Sequence, residues 1–483
     1  MSSKIIDFKH QDECLELSKD KHYYALLLEM GLGKTRICLR TAAHLFKNRK
    51  INGLLVVAPK SIIRNWAEKE IPAHMPDVLK RIVLWKPGTK KFDQDLHSIR
   101  AGSKLQLHIL VVNIDSVNTD RGYNEIERFL ETHDTLMVID ESTIIKNWRA
   151  ERTKITIKLG EKAKYRRIMT GTPVTNSPLD IYSQFDFLKH GCLGSTNFYG
   201  FRNTYAVLKK RYVNGRSFDE IVGYQRLEKL QSILKPISFR KLKSECLDLP
   251  EKIYQVRLVE LNKEQKKYYE EIKEEAMAYL ESGEVVTAPL VITQILRLRQ
   301  SLCNITNVDG RDIFLSEKNP RIDEILNILE EAKGQKVIIW SCFVSSIKAI
   351  RDAIAKEYGP NSVGCIYGDV DAKTRQLYVD KFQGEVPENE QIQYLVMQPR
   401  TAGYGLTLTA ATVVIYADSD WSLEVRQQSE DRCHRIGQKN KVTYIDIVAA
   451  GTIDEKIREA LVEKKDLANL VTGDALKAML KDA

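Results

Sequence analysis

The stretch "LLLEMGLGKT", residues 26–35, decides the fold. Three leucines, Leu26–Leu28, lead through Glu29 and Met30 into a turn of Gly31, Leu32 and Gly33, and then into Lys34 and Thr35. A buried strand followed by a glycine turn at a helix start is a ready anion site. Glycine lets the backbone N–H groups close on phosphate oxygens, and the helix dipole favours negative charge. In such a loop Lys34 neutralises the β- and γ-phosphates, and the Thr35 hydroxyl holds Mg²⁺. The general pattern GxxxxGK[ST] would put glycine at position 28, where this chain has Leu28. A chance glycine turn would carry the same letters, and the aliphatic strand before it is what favours phosphate.

Outward from this loop, short apolar runs alternate with amphipathic stretches. "YALLLEM" (24–30), "GLLVVAP" (53–59), "LHILVVN" (107–113), "TLMVIDE" (135–141) and "RRIMTG" (166–171) have the continuous apolar character of strands buried on both faces. The rhythm breaks from about 190 to 315, where the chain turns helical and charged, and resumes after "SEKNP" (316–320). "KVIIWSC" (336–342), "SVGCIYG" (362–368), "QYLVMQP" (393–399), "TVVIYAD" (412–418) and "VTYIDIV" (442–448) form the second set. The expected fold class is α/β, with two parallel-sheet lobes and helical insertions between them. The expected boundaries are 1–190 for the nucleotide-binding lobe, 191–315 for the insertion, 316–455 for the second lobe and 456–483 for a closing helix.

A phosphate loop needs an acid at the end of another strand. "LMVIDEST" (136–143) ends an apolar run in adjacent carboxylates. Asp140 is placed to bind Mg²⁺, and Glu141 to orient and deprotonate the attacking water. The same two acids could instead cap the next helix. Thr170, Gly171 and Thr172 close a further strand, where small hydroxyl residues can relay phosphate occupancy, or simply turn the chain before Pro173. Near the C-terminus, Gln428, Arg432 and Arg435 are spaced i, i+4, i+7, which on one helix puts all three on one face. Such a stripe is either a solvated surface or a set of groups aimed at an anion.

Bulk properties narrow the class. The chain has 483 residues, too many for one compact core. A composition of 43% hydrophobic and 29% charged residues is that of a globular protein, and a net charge of +9 permits nucleic acid without requiring it. Eight dispersed cysteines without a CxxC pair argue against zinc ribbons and for a reducing compartment. The polar start and the lack of a long apolar run predict no signal peptide and no membrane helix, hence a cytoplasmic protein, or a nuclear one in a eukaryote.

Taken in order, these motifs resemble the Swi/Snf helicase-like ATPases of superfamily 2, the double-stranded DNA translocases, from about residue 5 to 470. "FKHQ" resembles the adenine-sensing segment, with Gln11 in the adenine-reading place. "EMGLGKT" is close to the family's phosphate loop, which also lacks the early glycine. "VVAPKSIIRNW" and "VVNIDSV" resemble DNA-contacting motifs, "DESTIIKN" the metal and water-activating motif, and "TGTPVTNSPLDIYSQFDFL" the coupling motif. "PISFRKLKSECLDLPEKIYQVRLVELNKEQKKYYEEI" and "QILRLRQSLCNI" resemble the family's helical protrusions, and "TIDEKIREALVEKKDLANL" its closing helix. In "QPRTAGYGLTLTAATVVIYADSDWSLEVRQQSEDRCHRIGQ", Arg432 and Arg435 fall on the arginine-finger positions. The resemblance implies two RecA-like lobes that close around ATP and Mg²⁺, with Gln428 steadying the arginines. Departures fall at Ile37, Ala402, Thr407, Ser422 and Leu423, none of which touches the phosphate chemistry.

A groove formed by such lobes tracks phosphates without reading sequence. Lys60 and Ser61 on the first lobe, and Arg400, Thr401 and Thr407 on the second, are the expected contacts. Trp421 either packs on DNA or belongs to the core. Basic residues also concentrate between 146 and 167 and between 201 and 243. The expected function is an ATP-driven, monomeric double-stranded DNA translocase that displaces bound proteins or remodels branched DNA. A strand-separating helicase and an ATP-gated clamp with little turnover are the alternatives.

Overall fold

The strand before the phosphate loop, β1 (Tyr23–Leu28), is apolar along nearly its whole length and buried on both faces. It sits inside a seven-stranded sheet whose other members are β2 (Gly53–Ala58), β3 (Lys80–Leu84), β4 (Leu107–Asn113), β5 (Thr135–Asp140), β6 (Tyr165–Met169) and β9 (Ser238–Lys241), in the order β3-β4-β2-β5-β6-β1-β9. Every pairing in it is parallel. Parallel neighbours need crossover helices on the sheet faces, so the central strands are aliphatic throughout. A two-stranded antiparallel hairpin, β7 (Ala206–Val213) and β8 (Arg216–Tyr224), precedes β9.

The second sheet contains β10 (Lys252–Val259), β13 (Val337–Trp340), β14 (Val363–Ile366), β15 (Tyr394–Met397), β16 (Val413–Tyr416) and β17 (Val442–Ala449), in the order β10-β17-β16-β13-β15-β14, again all parallel. A small hairpin, β11 (Ile305–Val308) and β12 (Arg311–Phe314), lies between β10 and β13 in sequence. The computed structural model describes residues 8–60, 62–75, 77–100, 104–174, 177–213, 216–246, 250–281, 288–308, 310–402, 406–435 and 437–463. The chain divides into two units, Met1–Leu247 and Asp248–Ala483, each α/β and each built on one parallel sheet.

All ten apolar runs expected as strands are strands. The stretch 191–315 carries the expected long polar helix, Lys263–Glu281, but also six strands, β7 to β12, that helical character does not describe. β9 joins the edge of the first sheet beside β1, and β10 pairs with β17 over eight residues at the edge of the second. The chain thus gives one edge strand to each sheet on either side of the division. A helix runs Ile453–Val462, and residues 464–483, the rest of the expected closing helix, lie outside the described residues. No helix among the described residues is long and apolar enough to cross a membrane.

At the N-terminal ends of β4 and β5, opposite the strand ends that carry the motifs, two buried imidazoles meet. His133 Nδ1 lies 3.0 Å from the Phe129 carbonyl, so it donates, and its Nε2 accepts from His108 Nδ1 at 2.8 Å. Burial, followed for His108 by its neighbour His133, holds both below the ordinary histidine value. The unfolded chain therefore takes up protons that the folded pair refuses. Stability is whole above about pH 6.5 and falls as pH drops below it, by up to about 1.4 kcal/mol per pH unit for each imidazole. Calorimetry between pH 7.5 and 5.5 should show the loss, and His108→Phe should reduce it by the share of one imidazole. An equally steep loss in that variant would assign the effect elsewhere.

Candidate nucleotide site and arginine segment

Gly31 and Gly33 both adopt left-handed backbone, with φ of 86° and 82°, and Gly33 caps the helix Lys34–Lys47. A side chain at Gly33 would strike Gln11 as well as strain the turn, because a Cβ there would lie 2.3 Å from Gln11 Nε2. Gln11 is buried against the loop: its Nε2 donates to the Leu32 carbonyl at 3.2 Å and its Oε1 accepts from the Phe8 amide at 3.3 Å. His10 Nε2 lies 3.0 Å from the same Leu32 carbonyl. The helix Lys9–Ser18 is thereby pinned to the phosphate loop by two side chains, of which sequence reading singled out only Gln11. Leu32 itself is fully buried. Lys34, 8% exposed, donates to the Leu28 carbonyl at 2.8 Å.

Asp140 ends β5 and is 7% exposed. Its Oδ2 accepts from the Trp66 indole N–H at 2.7 Å, and its Oδ1 accepts from the Glu141 amide at 3.0 Å. Burial pushes the Asp140 carboxyl above the usual carboxylate range, while Trp66 and the nearby Lys34 ammonium pull it back. Glu141 has φ of 49°, a left-handed conformation that costs energy in a residue with a side chain and turns it out of the strand line. Ser142 then donates to Gln184 Oε1 at 2.6 Å, and Gln184 Nε2 donates to the Pro173 carbonyl at 2.8 Å. The acidic segment and the segment 170–173 are therefore one hydrogen-bonded body. Thr170 is fully buried and its Oγ1 accepts from the Thr172 amide at 3.2 Å. A Cβ on Gly171 would lie 3.1 Å from the Met30 amide, so this glycine lets the turn lie against the phosphate loop.

In the second unit, the helix expected to carry Gln428, Arg432 and Arg435 on one face ends too early. It runs Leu423–Glu430. The Glu430 carbonyl accepts from the Tyr444 hydroxyl and from the backbone of Cys433 and His434, which tightens the chain into turns. The stripe is nevertheless gathered. Arg432 Nε donates to the Gln428 carbonyl at 3.0 Å, and the guanidiniums of Arg432 and Arg435 both reach the Leu406 carbonyl, at 3.4 and 3.3 Å. Arg432 is 3% exposed, whereas Arg435 is half-buried. The Gln428 side chain is turned away to Glu424.

Residues 10–308 match the SNF2-related domain family, and residues 317–437 match the helicase conserved C-terminal domain. The chain belongs to the SNF2-related family. An uncharacterized ATP-dependent helicase of Mycoplasma genitalium is 28% identical over 91% of this chain. The putative ATP-dependent helicase/translocase YwqA of Bacillus subtilis is 26% identical over 91%, and the TATA-binding protein-associated factor MOT1 of Saccharomyces cerevisiae 26% identical over 93%. The chain spans only 39%, 45% and 26% of those relatives' own lengths. A Sulfolobus solfataricus SWI2/SNF2 ATPase core in complex with dsDNA covers the whole chain at 25% identity, with a TM-score of 0.42.

Other residues expected of this SNF2-related chain fall as follows. Lys60 is exposed just past β2, and Ser61 lies outside the described residues. Arg400 is held by both oxygens of Asp420, at 2.7 and 3.0 Å, while its side chain stays 60% exposed. Thr401 donates to Gln398, and Thr407 is exposed. Trp421 packs on the core of its unit with the Arg299 guanidinium 5.3 Å from its ring. Part of the basic stretch 146–167 is engaged locally. Lys154, Lys162 and Lys164 pair with nearby acids, Arg166 donates to the Phe187 carbonyl, and the buried Arg167 donates to the Ser18 and Lys21 carbonyls. Arg149 remains exposed over the Trp148 ring.

Trp66 and Gln184 escaped sequence reading. The only signal for Gln184 is an amide on an otherwise apolar helix, Ile181–Leu188; Trp66 looks like any core tryptophan. Trp66→Phe keeps the ring and removes the donor to Asp140, a charge-assisted hydrogen bond worth about 1.5–3 kcal/mol. ATPase assays across a Mg²⁺ titration should show a raised Mg²⁺ requirement with the fold intact. An unchanged curve would make Trp66 a packing residue only.

Proposed function

We propose that this chain is an ATP-dependent double-stranded DNA translocase, whose hydrolysis drives movement along duplex DNA and displaces bound proteins or remodels branched DNA. The observation that carries this reading is the Ser142–Gln184–Pro173 bridge, which ties the hydrolytic acids to the coupling turn beside the phosphate loop. A passive clamp has no need to transmit the state of Asp140 and Glu141 to residues 170–173.

In this reading the N–H groups of Gly31–Thr35 bind the phosphates, Lys34 neutralises their charge and Gln11 senses the adenine side. The oxygen donors fit Mg²⁺, a hard cation: a buried carboxylate on Asp140 and the Thr35 hydroxyl at the helix start. When bound, the ion neutralises charge between the β- and γ-phosphates. Glu141, turned out of the strand, orients water and accepts its proton. Arg432 and Arg435 stabilise transition-state charge. Lys60, Ser61, Arg400, Thr401, Thr407 and Trp421 are the proposed duplex contacts, with Arg400 exchanging Asp420 for a phosphate. The helicase/translocase name of the Bacillus relative supports the same reading. We take the working form to be a monomer in the cytoplasm, or in the nucleus of a eukaryote.

Third-strand displacement from a triplex, run beside unwinding of a forked duplex, tests this function. ATP-dependent release of the third strand with the fork left paired is expected. Fork unwinding without triplex release would favour a strand-separating helicase, and neither activity in the presence of ATP a clamp.

A further inference from the structure

Past Ser142, the acid-bearing segment of the first unit runs through the short turn Ser142–Ile145 to Trp148 and Arg149. The Ser183 hydroxyl lies 2.6 and 2.8 Å from the carbonyls of Ile145 and Lys146. This continuation is thus fastened to the helix Ile181–Leu188, whose Gln184 also holds Ser142. Trp148 then stacks on Phe198, with ring centres 4.6 Å apart and planes 18° apart, and meets Tyr199 edge-on at 5.3 Å. Phe198 and Tyr199 open the helix Phe198–Tyr205, and Tyr182 supports Phe198 edge-on at 5.6 Å. Phe201 and Tyr205 of that helix are buried in the core of the unit, whereas Tyr199 is 49% exposed and Trp148 half-buried. The outer rings form a shelf built on the same body that carries Glu141.

Cations lie on and beside these rings. The exposed Arg149 guanidinium is 5.1 Å from the centre of the Trp148 ring, and that of Arg202 is 5.4 Å from the centre of Tyr199. The helix runs directly into β7, on which Lys209 and Lys210 are exposed. The acids of β8 are engaged elsewhere: Asp219 pairs with Arg202 at 3.0 Å and Glu220 with Arg211 at 2.9 Å. The charges of Lys209 and Lys210 are therefore uncancelled. Rings that a base can stack on, flanked by cations that take phosphates, are the two halves of a surface for unpaired nucleotides. The bases of a duplex are already stacked on one another and cannot use such a shelf.

We propose that Trp148, Phe198 and Tyr199, with Arg149, Lys209 and Lys210, form a site for the unpaired nucleotides of single-stranded DNA, made of none of the proposed duplex contacts. Every base has a face to stack, so the site favours bases over bare sugar-phosphate without reading sequence. On branched DNA it takes the unpaired strand. The site stands apart from the translocase reading, because binding there needs no ATP turnover.

The test is fluorescence anisotropy of the full chain, without nucleotide, on labelled oligo(dT) and on a labelled abasic deoxyribose-phosphate oligomer of equal length. The parent should bind oligo(dT) about tenfold tighter or more. Tyr199→Ala, at an exposed position, should lose most of that preference while its affinity for the abasic oligomer stays within about twofold, and Tyr199→Phe should keep the preference. A local readout is available because Trp66, Trp85 and Trp340 are buried, while Trp148 and Trp421 are half-buried. In Trp421→Phe, oligo(dT) should quench the emission of Trp148 and the abasic oligomer should not. Equal affinity for the two oligomers, or an unchanged preference in folded Tyr199→Ala, overturns the site. A shelf that serves a protein partner, or oligo(dT) held only by the duplex contacts, would give the second result. Absence of duplex-stimulated ATPase would count against the translocase reading alone.

Discussion

Lys34→Ala is expected to stop ATP turnover, with kcat falling on the order of 10³-fold or more. Two losses coincide in this substitution. The ammonium is held inside the phosphate loop by the Leu28 carbonyl at 2.8 Å, at the first residue of a helix whose N-terminus already favours anions. Its removal takes away the one formal positive charge in the stretch 26–35. The same ammonium pulls the Asp140 carboxyl down against the effect of burial. Without it Asp140 is easier to protonate and a poorer partner for Mg²⁺. Steady-state ATPase assays check the result, with thermal unfolding as the control for folding. A normal kcat in a folded Lys34→Ala protein would refute the phosphate-loop assignment.

Arg435→Ala is expected to leave ATP binding nearly intact and to cut kcat on the order of 10³-fold, because an arginine finger acts on transition-state charge. The structure separates the two arginines. Arg432 is 3% exposed and folded back on the Gln428 carbonyl, so its removal should cost stability as well as rate. Arg435 is only half-buried and its guanidinium reaches the Leu406 carbonyl, so its removal should cost less stability than that of Arg432. Nucleotide-binding titrations beside kcat and KM discriminate. A loss confined to KM in Arg435→Ala would contradict the finger role.

How much of this was legible in the sequence follows from where each interaction closes. The strand–glycine turn–helix geometry of residues 23–47 was readable because its requirements are local: Gly31 and Gly33 supply positive φ beside a strand that is apolar along its length. The central strands were readable for the same reason, since burial on both faces leaves an uninterrupted aliphatic run. Edge strands do not leave that mark. β3, β9 and β10 each mix buried and exposed positions, and β10 carries Lys252, Gln255 and Arg257 among its apolar residues. The stretch 191–315 therefore looked helical although it supplies an edge strand to each sheet.

The arginine stripe failed for a different reason. Its i, i+4, i+7 spacing assumes that the helix continues, and the Tyr444 hydroxyl, from a strand later in the chain, takes the Glu430 carbonyl where the helix ends. The residues came together anyway, through backbone carbonyls rather than a helical face. Trp66 was illegible because its hydrogen bond closes on a residue 74 positions away. Buried core tryptophans and metal-side positioning tryptophans have the same sequence signature.

The most direct test of the central claim is the rate of ATP hydrolysis by this chain with and without duplex DNA, compared with single-stranded DNA at matched nucleotide concentration. Marked stimulation by the duplex, weakening steeply as salt is raised, is the predicted result. A rate unchanged by any nucleic acid would contradict the account.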